Sequence, residues 1–144
     1  DFTIELDAKR APKTGGAFKA LADAGFYDGT PFHRIIPGFV IQGGDATGEP
    51  PGTGDAGYEF ADELPDSADD YVPGSVAMAN SGPDTNGSQF FVVLEEGGLD
   101  PLYSLFGQVV EGFDTTIQDI AATGTQTGEP TTETLIETIT VTER

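Results

Sequence analysis

Residues 32–45 read FHRIIPGFVIQGGD, an apolar stretch that also carries an arginine, Arg34, and a glutamine, Gln42. In a strand, neighbouring side chains point to opposite faces and residues two apart share a face. The run predicts strands near Phe32–Ile36 and Phe39–Gln42, separated by a Pro-Gly pair. Because burying an unpartnered cation or amide is costly, the stretch indicates either costly burial or a binding surface.

A second stretch, residues 78–91, reads MANSGPDTNGSQFF and places Asn80, Gln89 and Phe91 in a similar setting. Together the two stretches strongly resemble the cyclophilins, the peptidyl-prolyl cis/trans isomerases. The resemblance runs from about Asp1 to Arg144 and implies one isomerase domain over residues 1–144. It also implies a mainly β fold, a closed antiparallel barrel capped by two α-helices. The family has eight strands, but its usual strand before Phe2 is missing here, so seven or eight are expected.

Short strands separated by turns dominate the rest of the pattern, which includes 20 Gly and 10 Pro. Two segments have apolar residues at helical spacing. One is predicted to begin with Thr14 as its N-cap and to end at Gly25, the other to begin with Asp114 as its N-cap and to end at Ala121. Residues 43–57 predict a loop. The other predicted strands are Phe2–Leu6, Ser75–Met78, Phe90–Val93, Leu105–Val110 and Thr134–Val141.

Arg34 is the candidate catalytic residue. Rotation about a peptide bond costs about 18–20 kcal/mol, and an Xaa-Pro bond exchanges in tens to hundreds of seconds. A catalyst of this rotation needs no nucleophile, cofactor or metal. It must stabilise the twisted state, in which the prolyl nitrogen exposes a lone pair that a guanidinium can bond. By resemblance, Arg34 matches the family's catalytic arginine; the alternative is a strand arginine paired with one of 25 acidic residues.

The resemblance also implies a substrate groove. Phe39 and Phe91 would form the floor and wall of a proline pocket, although plain core packing is the usual fate of Phe. Gln42 and Gln89 would hold the substrate carbonyl and order the arginine. Asn80, with the backbone of its neighbour, would bond an extended substrate as another strand does; turn chemistry is the alternative for these amides. The predicted substrate-binding set is Phe39, Val40, Gln42, Gly52, Ala79, Asn80, Gln89, Phe91, Leu99 and Tyr103.

Two residues near this site are predicted to have no role in catalysis. His33, the only histidine, follows the alternation of the strand away from the face of Arg34, and prolyl rotation needs no proton transfer. Gly98 stands where the family usually carries a large ring. Losing that ring removes apolar contacts, so we expect weak binding of bulky ligands, with cyclosporin-type inhibitors most affected.

The charge balance is strongly acidic: 6 Lys and Arg against 25 Asp and Glu give a net charge of −19. Such a surface repels phosphate backbones and anionic lipid, so we expect neither nucleic acid nor membrane as a partner. An ordinary acidic protein is one explanation. The scarcity of Lys favours the other, adaptation to concentrated salt in a halophilic prokaryote. Without Cys, an apolar run of membrane length or a signal-peptide pattern, we expect a cytoplasmic monomer.

The sequence therefore predicts an isomerase acting on Xaa-Pro bonds of proline-containing polypeptides during protein folding. The alternative belongs to another class of protein. It is a non-catalytic module of the same fold that binds proline-containing segments as a chaperone or scaffold. The simultaneous presence of the arginine, the two phenylalanines and the three amides favours the enzyme.

Overall fold

The structure is a computed structural model that describes residues 1–48, 52–54 and 56–143; positions 49–51 and 55 of the predicted loop lie outside these. The described chain is mainly antiparallel β with two α-helices, which confirms the predicted fold class. Within it the strands number six, where seven or eight were expected. The elements are β1 (Thr3–Leu6), α1 (Pro12–Asp23), β2 (Arg34–Ile36), β3 (Val40–Gly43), β4 (Ser75–Met78), β5 (Phe90–Val93), β6 (Leu105–Glu111) and α2 (Gln118–Ala121).

The six strands form one sheet in the order β1-β6-β4-β5-β3-β2, with every pair antiparallel. Directly opposed residues of neighbouring strands share a face. Arg34 is opposite Gln42, Gln42 is opposite Phe91, Phe91 is opposite Ala77, and Ala77 is opposite Leu105. One row of side chains therefore crosses five strands on a single face of the sheet.

The two faces of the sheet carry separate apolar clusters. The larger one packs strand residues such as Ile35, Ile41 and Val92 with Phe18 of α1 and Ile120 of α2. The smaller cluster lies on the opposite face and contains the three apolar residues of the row described above. Its buried members are Val40, Tyr71, Ala77, Phe91, Val93 and Leu105, and Phe39, Ala79, Leu99 and Tyr103 pack against them. Strands buried on both faces explain why the strand segments read as continuous apolar runs.

The predicted strand Thr134–Val141 is wrong as a continuous strand. The chain makes one isolated bridge there, between Pro31 and Leu135. Hydrogen bonds flank it, since Ile136 N donates to Thr30 O at 2.8 Å and Phe32 N donates to Thr134 O at 3.0 Å. Pro31 and Leu135 are therefore a non-hydrogen-bonded pair, and the bonds of this bridge come from the residues on either side of them.

The first helix begins differently from the prediction. Ala11 is its N-cap, no side chain of the cap forms a hydrogen bond, and Pro12 occupies the first turn, where its missing N–H costs nothing. Thr14, the predicted N-cap, is buried inside that turn. The carboxylate of Glu63 does the capping instead, accepting from Lys13 N at 3.3 Å, Thr14 N at 2.6 Å and Thr14 Oγ1 at 2.8 Å. A negative charge there also favours the positive end of the helix dipole.

The ends of the two helices differ in how well the sequence predicted them. Gly25, with φ of 75°, follows Ala24, the C-cap of α1, close to the predicted end of the helix. Asp114 is not an N-cap, because it lies within a π-helical turn, Phe113–Ile117, whose N-cap is Gly112 at φ 89°. Ile117 N donates to Gly112 O at 3.0 Å, and this wide turn delivers a fully buried Ile117 to the core. None of the described helices combines the length and apolar character needed to cross a bilayer.

We predict that Glu63→Gln lowers the free energy of unfolding by about 1–2 kcal/mol, because a neutral amide oxygen accepts more weakly than a carboxylate. Urea unfolding measures this as a lower midpoint with an unchanged slope. Glu59→Gln is the matched control, since Glu59 is exposed and the change in charge is the same. Equal midpoint shifts in the two variants would mean that Glu63 acts through net charge and not as a cap.

Candidate active site

A groove of about 310 Å³ lies on the face of the sheet that carries the smaller apolar cluster. Nine side chains line it, all of which the sequence assigned to the site. They are Arg34, Phe39, Val40, Gln42, Ala79, Asn80, Phe91, Leu99 and Tyr103. The structure thus brings together residues that are up to 69 positions apart in the chain (34 to 103). The two remaining predicted positions, Gly52 and Gln89, do not line the groove.

Arg34 is held by a neutral amide. It begins β2 directly opposite Gln42 of β3, and its Nη1 donates to Gln42 Oε1 at 3.2 Å. The aliphatic part of Arg34 packs against Gly128, where an added Cβ would lie 3.0 Å from Arg34 Cγ. Ile35 N donates to Gly128 O at 2.8 Å, so β2 itself anchors this supporting loop. No sequence pattern had pointed to Gly128, because its contact spans more than 90 residues.

The alternative explanation of Arg34 was a pairing with a surface carboxylate. Among residues 1–48, 52–54 and 56–143, ion pairs form between Arg10 and Asp70, Arg10 and Asp7, and Lys19 and Asp23, and none involves Arg34. This is notable for an exposed cation in a chain with 25 acidic residues. Within the described chain, the guanidinium therefore lines the groove with an amide partner and no carboxylate partner.

Aromatic rings form the apolar wall. Phe91 is 4% exposed, and its ring meets that of Tyr103 edge-on, with centroids 5.4 Å apart. Tyr103 is fixed in turn by Tyr71, whose hydroxyl donates to Tyr103 O at 2.6 Å and accepts from Tyr103 N at 3.2 Å. Both explanations of Phe91 therefore apply, because its ring packs in the smaller apolar cluster and also lines the groove. Tyr71 is a supporting residue that the sequence motifs did not reveal.

Asn80 joins its own loop to a second segment. Its Nδ2 donates to Leu102 O at 3.0 Å, and its Oδ1 accepts from Gly82 N at 3.2 Å. Turn chemistry accounts for the bond to Gly82, whereas the bond to Leu102 is long-range, and the residue also lines the groove. The neighbouring Ala79 N donates to Gln89 O at 3.0 Å, which continues the strand pairing up to the groove edge.

Gln89 connects a groove residue, Gln42, to a loop that contains Gly52. Gln89 Nε2 donates to Gly52 O and to Gly54 O, each at 3.0 Å. Gln89 Oε1 accepts from Gln42 Nε2 at 3.1 Å. The expectation that Gln89 orders the arginine thus takes a definite form, an amide chain that runs through Gln42.

His33 is packed under the same loop. An added Cβ on Gly52 would lie 3.3 Å from His33 Nε2. Both ring nitrogens are buried, and neither meets a partner with hydrogen-bond geometry among the described residues. Burial lowers the pKa of His33 from its ordinary value, an effect that the charge of Arg34 reinforces and that Asp45 and Gln89 oppose. The lowered pKa favours the neutral ring, which packs beneath the loop.

At Gly98 the backbone conformation, as well as the missing side chain, argues against a residue with a large ring. Gly97 and Gly98 have φ values of 87° and 82°, and residues other than Gly adopt such values only at a cost in free energy. A Cβ on Gly98 would be 3.5 Å from Phe39 Cε1, an ordinary contact. From the sequence, this position was interpreted as one that has lost a large ring. In the structure it has a left-handed backbone conformation, which disfavours a residue with such a ring.

Comparisons with known proteins agree with this geometry. The family model described as cyclophilin type peptidyl-prolyl cis-trans isomerase/CLD matches residues 1–141. The chain is 46% identical over 130 residues to peptidyl-prolyl cis-trans isomerase CYP18-1 of Arabidopsis thaliana, covering 89% of this chain and 79% of that protein. It is 51% identical over 113 residues to human peptidyl-prolyl cis-trans isomerase-like 1, covering 76% of this chain and 67% of that protein.

A solved structure of a cyclophilin has a similar fold. A cyclophilin type peptidyl-prolyl cis-trans isomerase of Cryptosporidium parvum, crystallised in the presence of the dipeptide Ala-Pro, superposes with a TM-score of 0.88 at 33% identity. The match covers 100% of this chain and 94% of that one. The chain therefore has the cyclophilin fold and belongs to the cyclophilin-type peptidyl-prolyl cis-trans isomerase family.

We predict that the imidazole of His33 titrates with a midpoint below 6.5, since burial disfavours the charged ring. The stabilisation from keeping this ring neutral is complete above pH 6.5 and is lost as the pH falls from there towards the folded-state pKa. Because the chain has one histidine, a single pair of ring proton signals in NMR follows the titration. The same signals in urea-unfolded protein are the control and should titrate near 6.5. A folded-state midpoint at or above the unfolded one would contradict the prediction.

Proposed function

We propose that this chain is a peptidyl-prolyl cis-trans isomerase that accelerates rotation about Xaa-Pro bonds in proline-containing polypeptides. The observation that carries the proposal is the setting of Arg34, a guanidinium held by the neutral amide of Gln42 beside an apolar groove. Membership of the family, and a relative crystallised in the presence of a proline dipeptide, support the substrate class.

The proposed mechanism follows from the chemistry of the bond. Resonance between the prolyl nitrogen and the carbonyl resists rotation. As the bond twists, the nitrogen regains its lone pair, and a guanidinium N–H of Arg34 can donate to it. This hydrogen bond is available only in the twisted state, so it lowers the barrier without strengthening ground-state binding. Proton transfer is not part of the step, in keeping with the buried and neutral His33.

The apolar side chains supply the complementary half of the proposal. Phe39, Val40, Phe91 and Leu99 would hold the proline ring, while Arg34 and Gln42 would face the peptide backbone. A largely apolar cavity with a few converging polar groups is the usual form of a small binding site. Placing the ring against the wall holds the prolyl nitrogen near the guanidinium, which is a positioning contribution to the rate.

We predict that Arg34→Ala lowers kcat for isomerisation of a short Xaa-Pro peptide by about 100-fold or more while peptide affinity changes only a few-fold, because the lost hydrogen bond belongs to the twisted state. Arg34→Lys should restore little activity, since an ammonium lacks the planar array of donors that addresses the nitrogen and Gln42 together. Arg10→Ala is the matched control, because Arg10 pairs with surface carboxylates and does not line the groove.

The result also separates the two classes of function. A wild-type chain that binds proline peptides but shows no isomerisation above the uncatalysed rate would favour the non-catalytic chaperone or scaffold. Near-normal turnover in Arg34→Ala would reject the assigned role of the arginine while leaving an isomerase in place.

We further propose that the chain works in concentrated salt, as in a halophilic prokaryote. Six Lys and Arg cannot pair one to one with 25 Asp and Glu. The ion pairs of the described chain, such as Lys19 with Asp23 at 2.6 Å, are exposed, and exposed pairs contribute little to stability. Repulsion among the remaining carboxylates is thus opposed chiefly by dissolved ions.

We predict that the melting temperature rises by several degrees or more between about 0.01 M and 1 M salt, because the Debye length shrinks from about 30 Å to about 3 Å. Isomerase activity should rise with the folded fraction. Repeating the melts near pH 4.1, the calculated pI, is the control, since the salt effect should shrink as the net charge approaches zero. A flat or falling melting temperature at pH 7 would make this an ordinary acidic protein.

A further inference from the structure

We propose that Asp45 is a positioning residue for Arg34, acting through the loop that its carboxylate organises and through the side chains of Gln89 and Gln42. The inference rests on the proposed function, because it assigns a part in turnover to a residue outside the groove. Asp45 does not line the groove.

The Asp45 carboxylate is the centre of its loop. Asp45 is 6% exposed, and its oxygens accept from four backbone N–H groups of the described residues. Oδ1 accepts from Thr47 N at 3.1 Å and Gly48 N at 2.7 Å, while Oδ2 accepts from Gly52 N at 2.5 Å and Gly54 N at 3.2 Å. A buried carboxylate with this many donors is fully compensated for its lost hydration and fixes the backbone around it.

The glycines of the loop show how closely it wraps the carboxylate. A Cβ added at Gly48 or Gly54 would overlap the side chain of Asp45. Gly52 has φ of 97°, which favours glycine. Burial would raise the pKa of Asp45, but its bonds to the N–H groups of Gly52, Gly54, Gly48 and Thr47 hold the pKa below its ordinary value. The anion is therefore the form that the loop is built around at neutral pH.

The loop then sets the orientation of two amides in succession. Both loop carbonyls, Gly52 O and Gly54 O, accept from Gln89 Nε2, so the NH₂ end of Gln89 must face the loop. Its Oε1 consequently faces Gln42 and accepts from Gln42 Nε2. Gln42 is left with its Oε1 towards Arg34 Nη1. An amide has one donor end and one acceptor end, so the loop determines which end of Gln42 the guanidinium meets.

Loss of the loop geometry would remove this choice. Without the two carbonyls, the Gln89 amide could rotate by half a turn and present its NH₂ group to Gln42. Gln42 could then reverse as well and present donors to a guanidinium that can only donate. The consequence would be a mobile Arg34 in a folded protein, with turnover lost and peptide binding largely kept.

Asp45→Asn tests this, because Asn keeps the size of the side chain but replaces one acceptor with an NH₂ group facing backbone donors. We expect kcat to fall by about tenfold with KM within a few-fold, as for a small displacement of a catalytic group. Asp7→Asn is the matched control, since Asp7 Oδ1 also accepts from loop N–H groups, Lys9 N at 3.2 Å and Arg10 N at 3.0 Å, far from the groove in the sheet. It should leave kcat unchanged.

A double variant distinguishes positioning from simple destabilisation. If Asp45 acts through Gln89, then Asp45→Asn combined with Gln89→Met should be no slower than the slower single variant, measured where all variants are folded. Losses that multiply, or a kcat that follows only the unfolded fraction, would overturn the proposal. If Asp45→Asn does not fold, Gln89→Met alone must lower kcat with KM kept, and normal turnover in it would overturn the proposal equally.

NMR of the free protein separates this inference from the proposed function. The side-chain NH₂ signals of Gln42 and Gln89 and the Nε–H signal of Arg34 should shift and broaden in Asp45→Asn and stay in place in Asp7→Asn. This readout needs no turnover, so absent wild-type isomerase activity would refute the function while shifted signals still supported the positioning role. Unmoved signals in folded Asp45→Asn would refute the positioning role alone.

Discussion

Strand register is the constraint on which the site depends. The inward residues Ile35, Ile41 and Val92 are each 0% exposed, and burying such side chains contributes roughly 1.5–3 kcal/mol each. A slip of one residue would expose them, because strand side chains alternate between faces. The same register places Arg34, Gln42 and Phe91 in one row on the other face. The energy of the larger core cluster therefore helps to position the site on the opposite face.

Polar groups on an otherwise apolar face need hydrogen-bond partners. The side-chain amides of Gln42 and Gln89 meet this requirement. Gln42 and Gln89 each donate and accept, so their dipoles are compensated by one another, by the loop and by Arg34. The hydrogen bond to Gln42 uses one of the five N–H donors of the guanidinium. The other N–H groups of Arg34 are not needed for this bond. A carboxylate partner would hold it more strongly but would neutralise the charge that the twisted bond needs.

The sequence predicted what local pattern determines. Strands Ser75–Met78 and Phe90–Val93 match residue for residue, because each is a short, mostly apolar run with turn residues close by. Seven groove residues lie in the two motifs, and the family resemblance supplied the other two, Leu99 and Tyr103. The cap of α1 was missed because Glu63 lies 49 residues from Thr14, and no local pattern encodes that contact. The C-terminal segment was predicted as a strand from its own alternation, but a strand also depends on its partner, and this segment makes one isolated bridge, to Pro31.

Gln89 and Gly52 show why motif membership does not specify a role. Both were predicted to bind substrate, and the structure gives them a further part, because they connect the buried anion of Asp45, which does not line the groove, to the arginine. This separation matters for a protein with a charge of −19. None of the nine groove-lining residues is acidic, and the Asp45 anion is enclosed by backbone donors. The local electrostatics of the arginine thus come from fixed dipoles at hydrogen-bond range, where dissolved ions do not intervene. Salt can then act on the stability of the fold while leaving the geometry that addresses the prolyl nitrogen unchanged.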